Sequence, residues 1–316
     1  MNEITILGAG AWGTALAIQA HRAGNTVTLW ARSGAEAIAA TRESPRLKGY
    51  RLPDAIGVTG VLPEGGMVLA AVPAQSLRAV LTSAPPMRYL VLCAKGIEAG
   101  TLRLPLEIAA EVWPEVRLAI LTGPNFAHEI AAGLPAAAVV SGLDQAMRED
   151  VAARLTSPGF RLYGHADPIG AQLGGAAKNV IAIAAGAVTG AGLGENARAA
   201  LITRGLAELA RLVTALGGRA ETVMGLSGLG DLLLTCTGPS SRNFSLGLAL
   251  GRGESLASIL AGRAAVTEGV ATAPALLARA AGVDLPICAA VAALLAGATT
   301  LDEAISALLA RPRRDE

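Results

Sequence analysis

The sequence has few aromatic residues, few cysteines and little net charge. Aromatic side chains make up 3% of the 316 residues, so we expect a core of small Ala, Gly, Leu and Val side chains packed closely together. A net charge of +1 provides no long-range field to attract nucleic acid or anionic lipid. The three cysteines, Cys93, Cys236 and Cys288, lack metal-site spacing, which predicts reduced thiols in a cytoplasmic protein.

Membrane spans and metal-binding patterns are also missing. An uncharged stretch at residues 179–194 is shorter than the ~20 residues that a membrane-spanning helix needs, so we expect a buried helix there and no stable membrane insertion. The first strand begins at once and leaves no room for a signal peptide. The histidines, His21, His128 and His165, form no metal-ligand spacing, and we expect no metal.

Residues 3–32 contain three glycines between two strands, in the pattern of a dinucleotide phosphate site. Gly8, Gly10 and Gly13 have the G-x-G-x-x-G spacing, follow an apolar strand and open a helix. In this pattern the first glycine permits a tight turn, the second leaves room for the pyrophosphate, and the third lets the helix pack closely on the strand. The positive end of the helix faces the phosphates. A glycine turn with only a structural role is the alternative, which the strand–turn–helix–strand order disfavours.

The end of the second strand indicates which nicotinamide cofactor the chain takes. It reads Leu-Trp-Ala-Arg and lacks the acidic residue that holds the adenosine ribose 2′-hydroxyl of NAD. Arg32 could instead bind the 2′-phosphate of NADP. We therefore expect NADP(H) to be favoured over NAD(H); the alternative is that Arg32 is a solvated residue at the end of a strand.

The first half of the chain alternates strands with helices. Several apolar runs are short and bounded by Gly or Pro, as strands buried on both faces of a parallel sheet are. These runs are residues 67–72, 89–93 and 117–121, with further strands predicted at 137–141 and 160–163. A polar turn follows each of the first three, and ligands gather at the carboxyl ends of such strands.

The pattern changes after about His165, where long Ala- and Leu-rich segments with helical spacing dominate. We therefore predict an α/β Rossmann-type dinucleotide-binding domain over residues 1–164 and an all-α domain over residues 165–316. The active site is expected in the cleft between them.

Lys178 lies in a helical segment that is otherwise nearly free of charge. Gly174 and Gly175 fall one turn earlier on the same face, and we expect them to open space for a ligand beside the ammonium. Burial lowers the pKa of a lysine, as a general acid or base near neutral pH requires. A lysine that extends out of a domain interface is the alternative.

Two further segments carry polar groups that suit substrate binding. Asp231 ends a second glycine-rich turn, where it could cap a helix, face Lys178 or bind a substrate hydroxyl. Ser241, Arg242 and Asn243 place a hydroxyl, a guanidinium and an amide in sequence, which suits a phosphate. Such clusters also occur in ordinary loops, and a capping turn is the default interpretation of Glu268.

Seven segments, taken together, resemble the bacterial NAD(P)-dependent glycerol-3-phosphate dehydrogenases, and the resemblance runs through nearly the whole chain. The segments are GAGAWGTALA (8–17), VPAQSLR (72–78), AKGIE (94–98), GPNFA (123–127), GGAAKNVIAI (174–183), GLGDL (228–232) and SRNF (241–244). The resemblance implies a cytoplasmic enzyme that reduces dihydroxyacetone phosphate to sn-glycerol 3-phosphate, the backbone for phospholipid synthesis.

The resemblance also implies roles for individual residues. Lys178 is implied to be the proton donor and acceptor, and Lys95 to contact both substrate and cofactor. The implied substrate contacts are Gly123, Asn125, Asp231, Ser241, Arg242 and Asn243. Besides the glycine turn, the implied cofactor contacts are Ala11, Trp12, Arg32, Ala127, Arg242, Val266 and Glu268.

These roles predict direct hydride transfer to C2 of the substrate, with Lys178 supplying the proton. Lys95 is expected to stabilise the oxyanion and to lower the pKa of Lys178 by like-charge repulsion. A β-hydroxyacid dehydrogenase of the same architecture and a non-catalytic NADP(H)-sensing protein remain alternatives. The sequence leaves a homodimer open.

Overall fold

The computed structural model describes residues 3–62, 64–263 and 266–312. Its first half is a sheet of eight strands with helices on both faces. The strands are β1 (Glu3–Leu7), β2 (Thr26–Trp30), β3 (Gly57–Thr59), β4 (Met67–Ala70), β5 (Tyr89–Leu92), β6 (Arg117–Thr122), β7 (Ala136–Ser141) and β8 (Phe160–His165). The helices between them are α1 (Ala11–Arg22), α2 (Ala35–Thr41), α3 (Ala74–Ser83), α4 (Pro105–Val112), α5 (Ala127–Ala132) and α6 (Gln145–Leu155).

The strands lie in the order β3-β2-β1-β4-β5-β6-β7-β8. Neighbours are parallel except β6 and β7, which are antiparallel. The chain reverses its direction of travel across the sheet between β3 and β4, so β1 borders the point where a doubly wound sheet binds its ligands. The Rossmann-type sheet and the five strands expected after residue 66 are confirmed, whereas β3 was not predicted.

Alternation of buried residues along the strands explains the two layers of helices. Ile4 and Ile6 of β1 pack beneath α1, while Leu7 and Val68 pack on the opposite side with α3. All four residues of β4 are buried, as expected for a strand covered on both faces. Helices therefore cover both faces of the sheet, and the carboxyl ends of its strands remain available for ligands.

The second half of the described chain is helical. Its helices are α7 (Pro168–Gly190), α8 (Gly194–Ala215), α9 (Asp231–Cys236), α10 (Arg242–Gly251), α11 (Leu256–Ala261), α12 (Glu268–Arg279), α13 (Pro286–Leu295) and α14 (Leu301–Leu309), with a 3₁₀ turn at Ala220–Met224 and a π-helical turn at Leu226–Gly230. Helix α7 is long and apolar enough to cross a membrane by length and composition, but 83% of its most apolar window is buried inside the protein. It is the central helix around which the others pack, and the expected buried helix is its second half.

Helices α7 and α10 approach each other closely enough for their backbones to touch. A Cβ added at Gly186 would lie 2.1 Å from the carbonyl oxygen of Phe244, and one at Gly247 would lie 1.9 Å from that of Ile183. Gly190 and Gly251 make the same kind of approach. Any side chain at these positions would push the helices apart, so the glycines set the distance between α7 and α10.

Asp167 organises the junction between the sheet and α7. Its carboxylate accepts hydrogen bonds from Gly170 N at 2.9 Å, Arg219 N at 2.8 Å and Thr222 Oγ1 at 2.6 Å. The first of these hydrogen bonds caps α7. The other two connect the start of this central helix to the 3₁₀ turn at Ala220–Met224.

Candidate active site

A cleft of about 890 Å³ lies where the carboxyl ends of the strands face the helical half. One end is lined by the glycine turn and the residues after β2. The other end is lined by Lys178 on α7, by Asp231 and Thr235 on α9, and by the start of α10. The volume suits a cofactor with a small substrate, since ligand pockets span roughly 300–1,000 Å³.

The glycine turn has the geometry that a dinucleotide requires. Gly8 has φ +109°, and a Cβ at Gly13 would lie 1.8 Å from the carbonyl oxygen of Gly8, so glycine is needed at both positions. A Cβ at Gly10 would meet nothing within 4 Å, which leaves open space on the cleft wall. Among the described residues no side chain caps α1, and its first N–H groups can therefore bind an anion.

Most of the predicted site residues lie on the cleft wall. Those that line it are Gly8, Gly10, Ala11, Trp12, Arg32, Lys95, Asn125, Ala127, Lys178, Asp231, Ser241, Arg242, Asn243, Val266 and Glu268. Gly13 and Gly123 are not among the described residues that line it. Gly13 packs under the carbonyl of Gly8, and the carbonyl of Gly123 accepts a 2.9 Å hydrogen bond from Lys95 Nζ.

One carboxylate joins the two lysines of the cleft. Lys178 Nζ donates to Asp231 Oδ1 at 2.5 Å and to Thr235 Oγ1 at 2.8 Å. Lys95 Nζ donates to the other oxygen, Asp231 Oδ2, at 2.6 Å. The Asp231 side chain is 1% exposed and makes no cap for α9. Asp231 therefore faces Lys178 and caps no helix, while its contact with a substrate hydroxyl stays a prediction.

Burial makes the ammonium of Lys178 unusual. Removal from water lowers the pKa of Lys178 to about 8; the Asp231 charge opposes this effect, and the Lys95 charge adds to it. Both lowering causes were expected from the sequence. The side chain is 8% exposed, so Lys178 does not extend out of an interface into solvent.

The expectation that Gly174 and Gly175 open space for a ligand is wrong. A Cβ at Gly174 would lie 2.3 Å from the carbonyl oxygen of Ser227, and one at Gly175 would lie 3.2 Å from Cγ of Lys95. The protein itself fills both spaces. The glycines instead allow two protein segments to lie against α7: the π-helical turn at Leu226–Gly230 and the aliphatic part of the Lys95 side chain. This packing brings Lys95 and Asp231 to Lys178.

Two asparagines connect the elements around the cleft. Asn179 Nδ2 donates to the carbonyl of Lys95 at 3.0 Å, and Asn243 Nδ2 donates to Asn179 Oδ1 at 2.9 Å. Asn243 Oδ1 in turn accepts from Gly269 N at 3.0 Å. Side-chain amides thereby connect the loop after β5 to α7, α7 to α10, and α10 to α12.

No role for Asn179 or Thr235 was predicted from the sequence. Thr235 follows Asp231 by four residues in a helical segment, a spacing that places both on one face and could have identified it. Asn179 also lines the cleft, but its hydrogen-bond partners are remote in sequence, so no local pattern reports its contacts.

In the predicted phosphate-binding cluster of Ser241, Arg242 and Asn243, the positive charge comes from Arg242. Ser241 Oγ caps α10 by accepting from Phe244 N at 3.2 Å, and the Asn243 amide is engaged in the network described above. Arg242 is exposed on the cleft wall, where Nη1 donates to the carbonyl of Val266 at 2.8 Å. A phosphate here would meet the guanidinium and the N-terminal end of a helix.

Two more polar side chains, those of Asn125 and Glu268, line the cleft. Asn125 Nδ2 donates to the carbonyl of Ala137 at 3.2 Å, while its Oδ1 has no hydrogen-bond partner among the described residues. Glu268 Oε1 accepts from Ala74 N, the first residue of α3, at 3.3 Å. Burial raises the pKa of Glu268. Within the described ranges no cluster of His, Cys, Asp and Glu could hold a metal ion.

Two family models match the chain. Residues 3–148 match the N-terminal model of NAD-dependent glycerol-3-phosphate dehydrogenase, and residues 167–306 match the C-terminal model. A glycerol-3-phosphate dehydrogenase [NAD(P)+] from Acidiphilium cryptum is 58% identical over 99% of this chain and 98% of its own length. One from a Bradyrhizobium species is 54% identical over 100% and 98%. A crystal structure of glycerol-3-phosphate dehydrogenase from Coxiella burnetii superimposes with a TM-score of 0.92 at 36% identity, covering 98% of this chain and 99% of that one.

Proposed function

The chain belongs to the NAD-dependent glycerol-3-phosphate dehydrogenase family and reduces dihydroxyacetone phosphate to glycerol 3-phosphate, and we propose which of its residues carry that reaction. Membership of this family sets aside the β-hydroxyacid dehydrogenase and the cofactor-sensing protein. The observation that supports the assignment of roles is the Lys178–Asp231–Lys95 arrangement in a cleft that continues to the glycine turn.

A bound nicotinamide dinucleotide supplies or accepts the hydride, and the residues at the glycine-turn end of the cleft suit it. The open side of Gly10 and the uncapped N–H groups of α1 fit a pyrophosphate. Arg32, Ser33 and Arg46 line the end of the cleft beyond β2, where the first acidic residue along the chain is Glu36. This charge pattern supports binding of the NADP(H) 2′-phosphate.

Lys178 is the proposed proton donor. With a pKa of about 8, its Nζ carries a proton at neutral pH and can still release it at modest cost. As negative charge develops on the carbonyl oxygen of the substrate, that proton passes from Nζ to the oxygen. In the opposite direction neutral Lys178 accepts the proton from the C2 hydroxyl.

Three other side chains are proposed to position the substrate. Lys95, held between Asp231 and the carbonyl of Gly123, stabilises the developing oxyanion. Arg242 and the start of α10 bind the phosphate, so that binding energy remote from C2 holds the carbon in place. Asn125 lines the cleft and its buried Oδ1 has no hydrogen-bond partner among the described residues, which supports a hydrogen bond between this side chain and a substrate hydroxyl.

The domain division, the compartment and the oligomeric state are proposals as well. The proposed boundary between residues 164 and 165 falls at the last residue of β8, His165, shortly before α7 begins at Pro168. We propose a cytoplasmic location, in keeping with three buried free cysteines. The homodimer stays a prediction, which sedimentation of the purified protein tests.

The decisive experiment follows cofactor oxidation by the purified protein with dihydroxyacetone phosphate, using NADPH and NADH in turn and a 3-oxoacid as the competing substrate. We expect turnover with the phosphoester only. Lys178→Ala should lower turnover by about two to four orders of magnitude, as loss of a general acid does. Lys48→Ala, which removes an exposed lysine outside the cleft, is the matched control. Near-normal turnover of Lys178→Ala would exclude Lys178 as the proton donor.

A further inference from the structure

The segment between β5 and α4, residues 93–104, carries Lys95 into the cleft, and we call it the Lys95 loop. It leaves the sheet but packs into the helical half, because Ile97 and Leu104 are 0% and 1% exposed within the core around α7. Asn179 on α7 also bonds the carbonyl of Lys95. The position of the Lys95 ammonium therefore depends on how firmly this loop is held.

Helix α3 holds the Lys95 loop from the sheet side. Gln75 Nε2 donates to the carbonyl of Ile97 at 2.7 Å, and Gln75 Oε1 accepts from Ala99 N at 2.9 Å. One turn further along α3, Arg78 donates to both carboxylate oxygens of Glu98, at 2.8 to 3.1 Å. The Glu98 side chain is 11% exposed, and a bidentate pair of this kind fixes orientation as well as distance.

The far end of the Lys95 loop has an unfavourable backbone conformation that its neighbours maintain. Leu102 has φ +60°, which is sterically costly for a residue with a Cβ atom. Glu98 N donates to the carbonyl of Arg103, and Leu102 N donates to that of Glu98. Arg279 on α12 donates to the carbonyl of Leu102 at 2.7 Å. Such a turn persists only while its surroundings hold it.

We infer that Arg78 and Glu98 are positioning residues for the reaction, whose ion pair fixes the Lys95 loop so that Lys95 Nζ lies between Asp231 and the carbonyl of Gly123. The inference rests on the proposed role of Lys95. Neither Arg78 nor Glu98 lines the cleft, so both act through the loop rather than on the substrate. Arg78 lies in the segment VPAQSLR and Glu98 in AKGIE, and the proposed mechanism gives neither of these two side chains another role.

Loosening the loop has an effect on Lys178 that a purely structural role lacks. The charged or titratable groups that act on Lys178 are Asp231 and Cys236 on α9, Lys95 on the loop and, on α12, Glu268. If Lys95 moves away, its charge no longer repels the Lys178 ammonium, and Asp231 is paired with Lys178 only. Both changes favour the ammonium, so the pH at which Lys178 titrates in the rate profile should rise.

The test is the isosteric variant Glu98→Gln, assayed for kcat, KM and the pH profile of dihydroxyacetone phosphate reduction. We expect kcat to fall about ten- to a hundredfold, as displacement of a reacting group by about 1 Å does. The limb assigned to Lys178 should move to higher pH, and KM for the cofactor should stay unchanged. Arg78→Met should behave like Glu98→Gln, and Arg78→Lys, which keeps the charge but not the bidentate geometry, should be intermediate.

Glu111→Gln is the matched control. Glu111 accepts from the same guanidinium at 2.9 Å and from Arg103 of the Lys95 loop at 2.7 Å, but the Glu111 side chain is 38% exposed and that of Arg103 is 48% exposed, and exposed pairs contribute little. We expect wild-type kinetics from it. Thermal melts of each variant separate loss of fold from loss of positioning, and Arg78→Lys serves if Glu98→Gln does not fold.

A double variant distinguishes this inference from the proposed function. Added to Lys95→Met, the Glu98→Gln change should cause no further loss of kcat, because its effect passes through Lys95. Lys95→Met with wild-type turnover would contradict the proposed role of Lys95. The positioning role alone would be overturned by a different pair of results. In that case Lys95→Met would have a low kcat, whereas Glu98→Gln would fold and show a normal kcat with an unchanged pH profile.

Discussion

Replacing Asp231 by Asn tests whether one carboxylate keeps the proposed donor protonated. Asn retains the shape of the side chain but removes the charge that lies 2.5 Å from Lys178 Nζ and 2.6 Å from Lys95 Nζ. Burial and Lys95 lower the pKa of Lys178, whereas Asp231 raises it. With Asp231 neutralised, the lowering causes prevail and the pKa of Lys178 should fall below about 8.

The size of the effect follows from the burial of the pair. A buried ion pair that loses one partner costs about 3–5 kcal/mol, and one pKa unit corresponds to about 1.4 kcal/mol. The pKa of Lys178 should therefore fall by about two to three and a half units. At pH 7 the protonated fraction then drops by about ten- to three-hundredfold, and the rate of dihydroxyacetone phosphate reduction should drop with it. Oxidation of glycerol 3-phosphate needs neutral lysine and should suffer less.

The assay is the pH profile of kcat/KM in both directions for wild type and Asp231→Asn. Part of the lost reduction should return as the pH is lowered toward the new pKa. Asp54→Asn removes an aspartate that is 81% exposed and paired with Arg51, so it serves as the control with an unchanged profile. A midpoint for Asp231→Asn at or above that of wild type would refute the view that Asp231 holds the Lys178 proton.

Three further predictions concern the cofactor and the stability of the helical half. Arg32→Ala should lower kcat/KM for NADPH by about ten- to a hundredfold relative to NADH, the worth of a charged hydrogen bond, measured by steady-state kinetics with each cofactor. Glu208→Gln should lower the free energy of unfolding in urea by about 1–3 kcal/mol, because the Glu208 carboxylate accepts from Ile287 N and Cys288 N at the start of α13. Asp167→Ala should cost about 1–2 kcal/mol at neutral pH through loss of the α7 cap. Burial opposes ionisation of Asp167, but its hydrogen bonds hold the pKa below the usual value, so this difference should be present above about pH 4 and disappear as pH falls through the native pKa.

The parts of the fold that depend on neighbouring residues could be predicted. The glycine turn is defined by spacing within a few residues, and the buried strands by short apolar runs that end at Gly or Pro. Strand β3 spans only Gly57–Thr59, with no buried residue, and such a segment has no distinctive pattern. The antiparallel direction of β7 was also not predicted, because alternation of side chains is the same in either direction.

The sequence allowed the individual residues of the site to be predicted, but not which side chains contact one another. Lys178 stood out as a single charge in an apolar helix, and the sequence left three roles open for Asp231. Their contact joins residues that are 53 positions apart, and the contact of Asp231 with Lys95 joins residues 136 apart. Packing of α7 against the turn before α9 decides these pairings, and the same packing explains why Gly174 accommodates protein rather than ligand.

Main chain meets main chain where α7 crosses α10, so there is no layer of side chains between the two helices that could repack. Lys178 is carried by one helix, and Arg242 is the first residue of the other. The distance between the proposed proton donor and the proposed phosphate-binding residue is therefore set by the packing of two backbones. With Lys178 and Arg242 in their proposed roles, we expect a phosphoester one carbon longer to place its carbonyl away from the ammonium, so that the spacing of two helices selects the chain length of the substrate.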